Sequence, residues 1–123
     1  MTTMSRFEIY SGLSLIGWSE LELGDPPMGV ALGRFLPAPG YAAIQAVVAA
    51  ASGGPLPDDL QLSIREAGGS VLPVNAGVHI ADGSPELGSE GLEVSILGLP
   101  YPDYQILFPE HVDAYERQFK VSD

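Results

Sequence analysis

The sequence predicts an α+β fold. We expect a curved, mainly antiparallel β-sheet of about six or seven strands with two α-helices, near residues 41–51 and 110–120, in a single globular domain over 1–123. Three observations predict it. Short apolar stretches alternate with polar residues at period two along much of the chain. Fifteen glycines and eleven prolines punctuate them, about a fifth of the residues against roughly 12% on average, and that many turn residues mark a β-rich chain. The order β-β-β-α-β-β-β-(β)-α does not suit a parallel doubly wound sheet.

Residues 7–10 alternate around Phe7 and Ile9 and read as a strand. Ser11, Gly12, Leu13 and Ser14 form a turn, and 15–23 returns as a second strand of a hairpin. Ile16 and Trp18 share one face there, Leu21 and Leu23 the other. A bulge near Ser19 or burial on both faces reconciles the patterns, and Trp18 is expected in the core. Residues 24–27 are a loop, because Pro26 and Pro27 fix φ and restrict the residue before them. Residues 29–36 read as a third strand, with Val30, Leu32 and Leu36 on one face and Arg34 awkwardly among them. Pro37 to Gly40 breaks it. Residues 41–51 are alanine-rich and apolar nearly all round, the pattern of a helix packed on a sheet. Ser52, Gly53 and Gly54 end it.

Residues 60–66 alternate cleanly, with Leu60, Leu62 and Ile64 inward. Ala67, Gly68, Gly69 and Ser70 mark a hairpin turn, and 71–74 with 78–80 form the return strand, His79 facing outward. Residues 82–91 are a turn-rich acidic loop. Leu92, Val94 and Ile96 define another strand. Residues 98–102 are a stiff connection, and 104–108 read as a last strand or a loop packed by aromatics. Pro109 suits the first position of the final helix. Glu110 and Asp113 early in it, with Arg117 and Lys120 late, suit the helix dipole. Val112, Tyr115 and Phe119 give it one docking face.

Charge is the best functional clue. The chain has 16 acids and 5 bases, a net charge of −11. Nine carboxylates lie between Glu66 and Glu116 without a lysine or arginine among them. A field of that sign favours basic partners and repels nucleic acid and anionic membrane. With no cysteine, disulfides, thiolate metal sites and thiol nucleophiles are excluded. The start has no apolar signal core, and the longest apolar run, 46–51, is far short of the ~20 residues that span a bilayer. A cytoplasmic location is expected.

No catalytic motif stands beside the charge. There is no G-x-S-x-G elbow, no S-x-x-K, no P-loop and no G-x-G-x-x-G. His111 near Glu110 and Asp113 has the neighbours of a general base, but no nucleophile or oxyanion site is marked. Glu20 and Glu22 lie about 7 Å apart on a strand, a spacing that paired catalytic carboxylates use, though a solvated sheet edge explains them as well. Two isolated histidines do not make a zinc site. Asp82, Gly83, Ser84, Pro85 and Glu86, with Glu90 behind, offer oxygen ligands in a turn but lack the register of a calcium loop. We expect no metal, no cofactor and, on balance, no enzyme.

The expected function is a small acidic protein-binding domain, of the physical type of a bacterial immunity or antitoxin-like inhibitor of a basic partner. Its binding residues are expected to be Asp82, Glu86, Glu90, Glu93, Tyr101, Asp103, Tyr104, Glu110 and Asp113, where two acidic stretches bracket a proline-stiffened aromatic segment. Tyrosines rimmed by carboxylates anchor interfaces at low entropic cost. An alternative is a small-molecule binder or minor enzyme, with a pocket between sheet and alanine-rich helix offering Arg34, Tyr41 and His111. A second alternative is a homo-oligomeric accessory domain.

Overall fold

The computed structural model describes residues 6–51, 54–67, 69, 71–72, 74 and 77–117, with backbone alone at 85, 86, 89, 101 and 102. Among these residues eight strands form two four-stranded antiparallel sheets. They are β1 (Phe7–Ser11), β2 (Ser14–Ser19), β3 (Leu23–Asp25), β4 (Val30–Arg34), β5 (Leu36–Pro37), β6 (Leu62–Glu66), β7 (Gly77–Asp82) and β8 (Leu92–Leu97). One sheet has the order β5-β2-β1-β6, the other β3-β4-β8-β7. The helices are α1 (Gln45–Ala51), α2 (Ser84–Leu87), α3 (Tyr101–Leu107) and α4 (Pro109–Arg117).

The expected α+β fold of mainly antiparallel strands is present, with the strands divided between two sheets and slightly more of them than expected. Two segments read as single strands each cross from one sheet to the other, as corners of folded sheets do. The first runs from β2 to β3 through Leu21, which takes a φ of 48°. The buried Ser19 hydroxyl accepts the Leu21 N–H at 3.0 Å and holds this corner. The second runs from β4 to β5 through buried Phe35, whose N–H donates to Leu92 O at 3.1 Å. The ladder irregularity lies at Ile16, where Ile9 pairs with Gly17 but Tyr10 pairs with Leu15.

Other elements differ from expectation. The inward face of 30–36 is Ala31, Gly33 and Phe35, so Arg34 and Leu36 are exposed without conflict. Trp18 is half-buried with the Arg6 guanidinium over its ring, not in the core. The segment 41–51 is a 3-10 turn (Pro39–Ala43) followed by α1, interrupted at Ile44. Only Val48 of α1 is fully buried, so this helix is not enclosed. The return strand β7 does not pair with β6; it pairs with β8, and β6 pairs with β1. Val71 makes one isolated bridge to Arg65. Gly68 and Ser70 of the expected turn, and Phe119 and Lys120 of the last helix, lie outside the described residues.

Residues 101–107 are helical, not a strand or loop. Pro102 stands in the first turn of α3, where its missing N–H costs nothing. Pro109 then starts α4 after Phe108 leaves helical geometry, with φ −130° and ψ 58°. One hydrophobic core joins both sheets to the helices, through Phe7, Ile9, Phe35, Ile64, Ile96, Tyr104 and Phe108 among others. No helix among the described residues is long and apolar enough to cross a membrane.

Candidate functional site at the edge strand and the last helix

Tyr104, Phe108 and His111 follow one another at helical spacing across the α3–α4 junction, and all three are buried. Tyr104 and Phe108 have ring centroids 5.1 Å apart. Phe108 and His111 stack at 4.8 Å with planes within 8°. Phe7 closes the cluster against Phe108 at 5.4 Å. The polar tips point the other way. Tyr104 Oη donates to Val30 O at 2.8 Å and lies 3.1 Å from His111 Nδ1. His111 Nε2 donates to Glu22 O at 3.1 Å. These bonds fasten α3 to the start of β4 and α4 to the residue that precedes the exposed edge strand β3. Gly24 permits the approach, because a Cβ there would collide with Tyr104 Oη and His111 Nδ1.

Between β3 and α4 lies a cleft of about 350 Å³, lined by Glu22, Leu23, Gly24, Asp25, His111, Ala114 and Tyr115. Burial, then the Asp25 and Glu110 carboxylates, push the Tyr104 phenol well above its ordinary range. Acids from both halves of the chain therefore act on one spot. A neighbouring cleft is lined by Glu20, Glu22, Arg34 and Leu36. Glu22 belongs to both, so the acidic edge runs on toward Arg34, which faces Glu93 across the β4–β8 ladder.

The expected binding residues do not form one patch. Asp82 is buried: period two places it on the inward face with Ile80. Tyr41 Oη donates to Asp82 Oδ2 at 2.6 Å, and the Ser84 N–H donates to Oδ1 at 2.8 Å. Burial alone would raise the Asp82 pKa; hydrogen bonds from Ser84, Tyr41 and Gln45 outweigh it and hold the carboxyl below its usual range. Burial and the Asp82 hydrogen bond and charge push the Tyr41 phenol up. Tyr104 is fully buried, so neither Asp82 nor Tyr104 presents its side chain to a partner. Glu90, Glu93, Glu110 and Asp113 are exposed and Asp103 is half-exposed. The side chains of Glu86 and Tyr101 lie outside those described.

Arg34, Tyr41 and His111 do not converge either. Arg34 and His111 line different clefts, and Tyr41 is packed against Asp82. Both ring nitrogens of His111 have partners inside the fold, which leaves it poorly placed as a general base. Among the described residues no three His, Cys, Asp or Glu side chains converge to hold a metal ion. Sequence reasoning missed the pairing of Glu22 and Asp25 with α4. Nothing local signals it, because the two segments lie some 90 residues apart. A scan against protein-family models finds no match, and searches of curated proteins and of solved structures find none either.

Proposed function

We propose that this chain is a protein-binding domain that engages a basic protein partner through the acidic cleft between β3 and α4. The observation that carries the reading is the meeting of Glu22 and Asp25 with His111 at one cleft that no described lysine or arginine lines, beside Tyr104, on which the Asp25 and Glu110 carboxylates both act. The described bases are largely engaged elsewhere: Arg6 over Trp18, Arg65 over Tyr10, and Arg117 on the Asp113 carbonyl. Apolar contact area is at hand, since Leu23 is 62% exposed in the cleft and Met28, on the turn that packs on α3, is 68% exposed. Carboxylates around exposed apolar groups suit a partner's arginine or lysine, with the acidic field speeding encounter. An immunity or antitoxin-like inhibitor is the kind of protein this describes.

The test is capture of partners on the immobilised protein at low salt and again at about 0.5 M, where the Debye length is under about 5 Å. Basic proteins retained only at low salt support the reading. Retention of nothing basic at low salt overturns it.

A second reading, small-molecule binding, rests on a different cleft of about 360 Å³ where β6 and β7 lie side by side unpaired. Leu56, Leu62, Val78 and Leu97 line it with His79 and Gln61, an apolar wall with a few polar groups. His79 is half-buried there and its Nε2 donates to Gly54 O at 2.9 Å. A thermal-shift screen with metabolites, in the absence of any protein, separates the two readings.

A further inference from the structure

We propose that the cleft between β6 and β7 takes an uncharged, apolar molecule that donates an N–H or O–H hydrogen bond to His79 Nδ1. The proposal rests on the small-molecule reading above and commits it to one class of ligand. It is independent of the acidic cleft beside β3. His79 is half-buried on the cleft wall, with Nε2 2.9 Å from Gly54 O. A carbonyl only accepts, so Nε2 carries the proton of that bond. In the neutral ring Nδ1 is then a bare acceptor, and no described residue bonds it. Among the described residues the one fully buried side-chain nitrogen or oxygen without a partner is Arg65 Nε. Nδ1 is therefore not sealed inside the fold, and the open space beside its ring is the cleft.

The rest of the wall selects the same chemistry. Its other polar side chains are Asp58 and Gln61. A carboxylate only accepts, and an amide does either. The two side chains of fixed sense, Asp58 and His79, thus both ask for a donor. A ligand whose polar end only accepts would leave Nδ1 unpaired. An anion would also meet Asp58 in a chain of net charge −11. The remaining side chains that matter are apolar and half-buried: Leu56, Leu62, Val78 and Leu97. An apolar cavity of about 150 Å³ accepts benzene, so a cleft of about 360 Å³ has room for a bicyclic ring. The backbone keeps that room. A Cβ on Gly77, at φ 92°, would find no atom within 4 Å. Gln61 takes a φ of 51°, a left-handed conformation that a residue with a side chain holds only under constraint. Its carbonyl accepts the Gly12 N–H at 3.0 Å and its own N–H donates to Asp58 O at 3.0 Å. The turn that carries Asp58 and Gln61 is thereby tied to the β1–β2 hairpin, and constraint of this kind gathers at ligand sites.

The test uses the whole chain and two probes, indole and N-methylindole. Indole has a donor and no acceptor; methylation removes the donor and keeps the ring. Each is titrated at about pH 8, the alkaline end of the range in which histidine changes charge, and binding is followed by amide shifts of the nitrogen-15-labelled protein. Indole is expected to move the amides of Leu62, Val78 and Leu97 and to bind about three- to tenfold more tightly than N-methylindole, the worth of one neutral hydrogen bond. In His79→Leu, which keeps an apolar wall, that preference is expected to vanish. Equal affinities in the wild type, or a preference unchanged in His79→Leu, overturn the proposal and leave the small-molecule reading standing. No binding of either probe, or shifts confined to another part of the chain, overturn the proposal too, and the metabolite screen above then decides the small-molecule reading alone. Should His79→Leu fail to fold, the wild-type imidazole nitrogens decide. An Nδ1 resonance moved by indole and not by N-methylindole supports the proposal, and one that indole leaves unmoved overturns it.

Discussion

The hydroxyl of Tyr41 donates a 2.6 Å hydrogen bond to the buried carboxylate of Asp82, joining the turn before α1 to the end of β7. An acid from the most acidic part of the chain thus serves the interior. A charged acceptor that loses its donor inside a protein costs about 1–3 kcal/mol. Tyr41→Phe, which keeps the ring packed 5.0 Å from Phe35, should cost that much in urea unfolding with an unchanged m-value. A loss below about 0.5 kcal/mol would show that the bond is exchanged for water.

The same pair sets a pH dependence. The Asp82 carboxyl is held below its usual range in the folded chain. Its contribution is therefore fully present above the ordinary value of about 3.9 and is lost as pH falls through the lowered folded value. Asp82→Asn should lack this component of acid unfolding. At the alkaline end the sign reverses. The phenols of Tyr41 and Tyr104 are pushed up, so the stability they give is present below about pH 10 and fades above it. Tyr41→Phe should flatten the alkaline limb of a stability–pH curve.

Gly24 sits on an exposed edge strand, yet a Cβ there meets Tyr104 Oη and His111 Nδ1. Gly24→Ala should destabilise by about 1–3 kcal/mol, the usual cost of forced overpacking. Leu23→Ala, next to it and 62% exposed, should stay within about 0.5 kcal/mol. Equal effects of the two in chemical denaturation would remove the steric account of how β3 meets α4.

Much of the fold was legible in the sequence, because Phe7 and Ile9, Leu62 and Ile64, and Leu92, Val94 and Ile96 alternate at period two and pack inward or half-inward. Asp82 was legible too by the same rule: it follows Ile80 by two residues, but the acidity of its neighbours drew the reading outward. Tyr104, Phe108, His111, Val112 and Tyr115 keep helical spacing from α3 into α4, and Pro109 hid this by splitting the run in two. The corners at Leu21 and Phe35 were not legible, since a strand that changes sheets keeps its composition while changing partners. Nor was the cleft, which exists only because β3 and α4 meet in space.

The central claim is that a basic partner binds at the cleft and not merely to net charge. The direct measurement compares a captured basic partner's affinity for two double variants of equal charge change. Glu22→Gln with Asp25→Asn alters the cleft. Asp58→Asn with Asp59→Asn alters exposed acids of the turn Asp58–Leu60. The account predicts a loss of about tenfold or more for the first pair and no more than about twofold for the second. Equal losses in both would contradict it and leave the carboxylates a general field without a site.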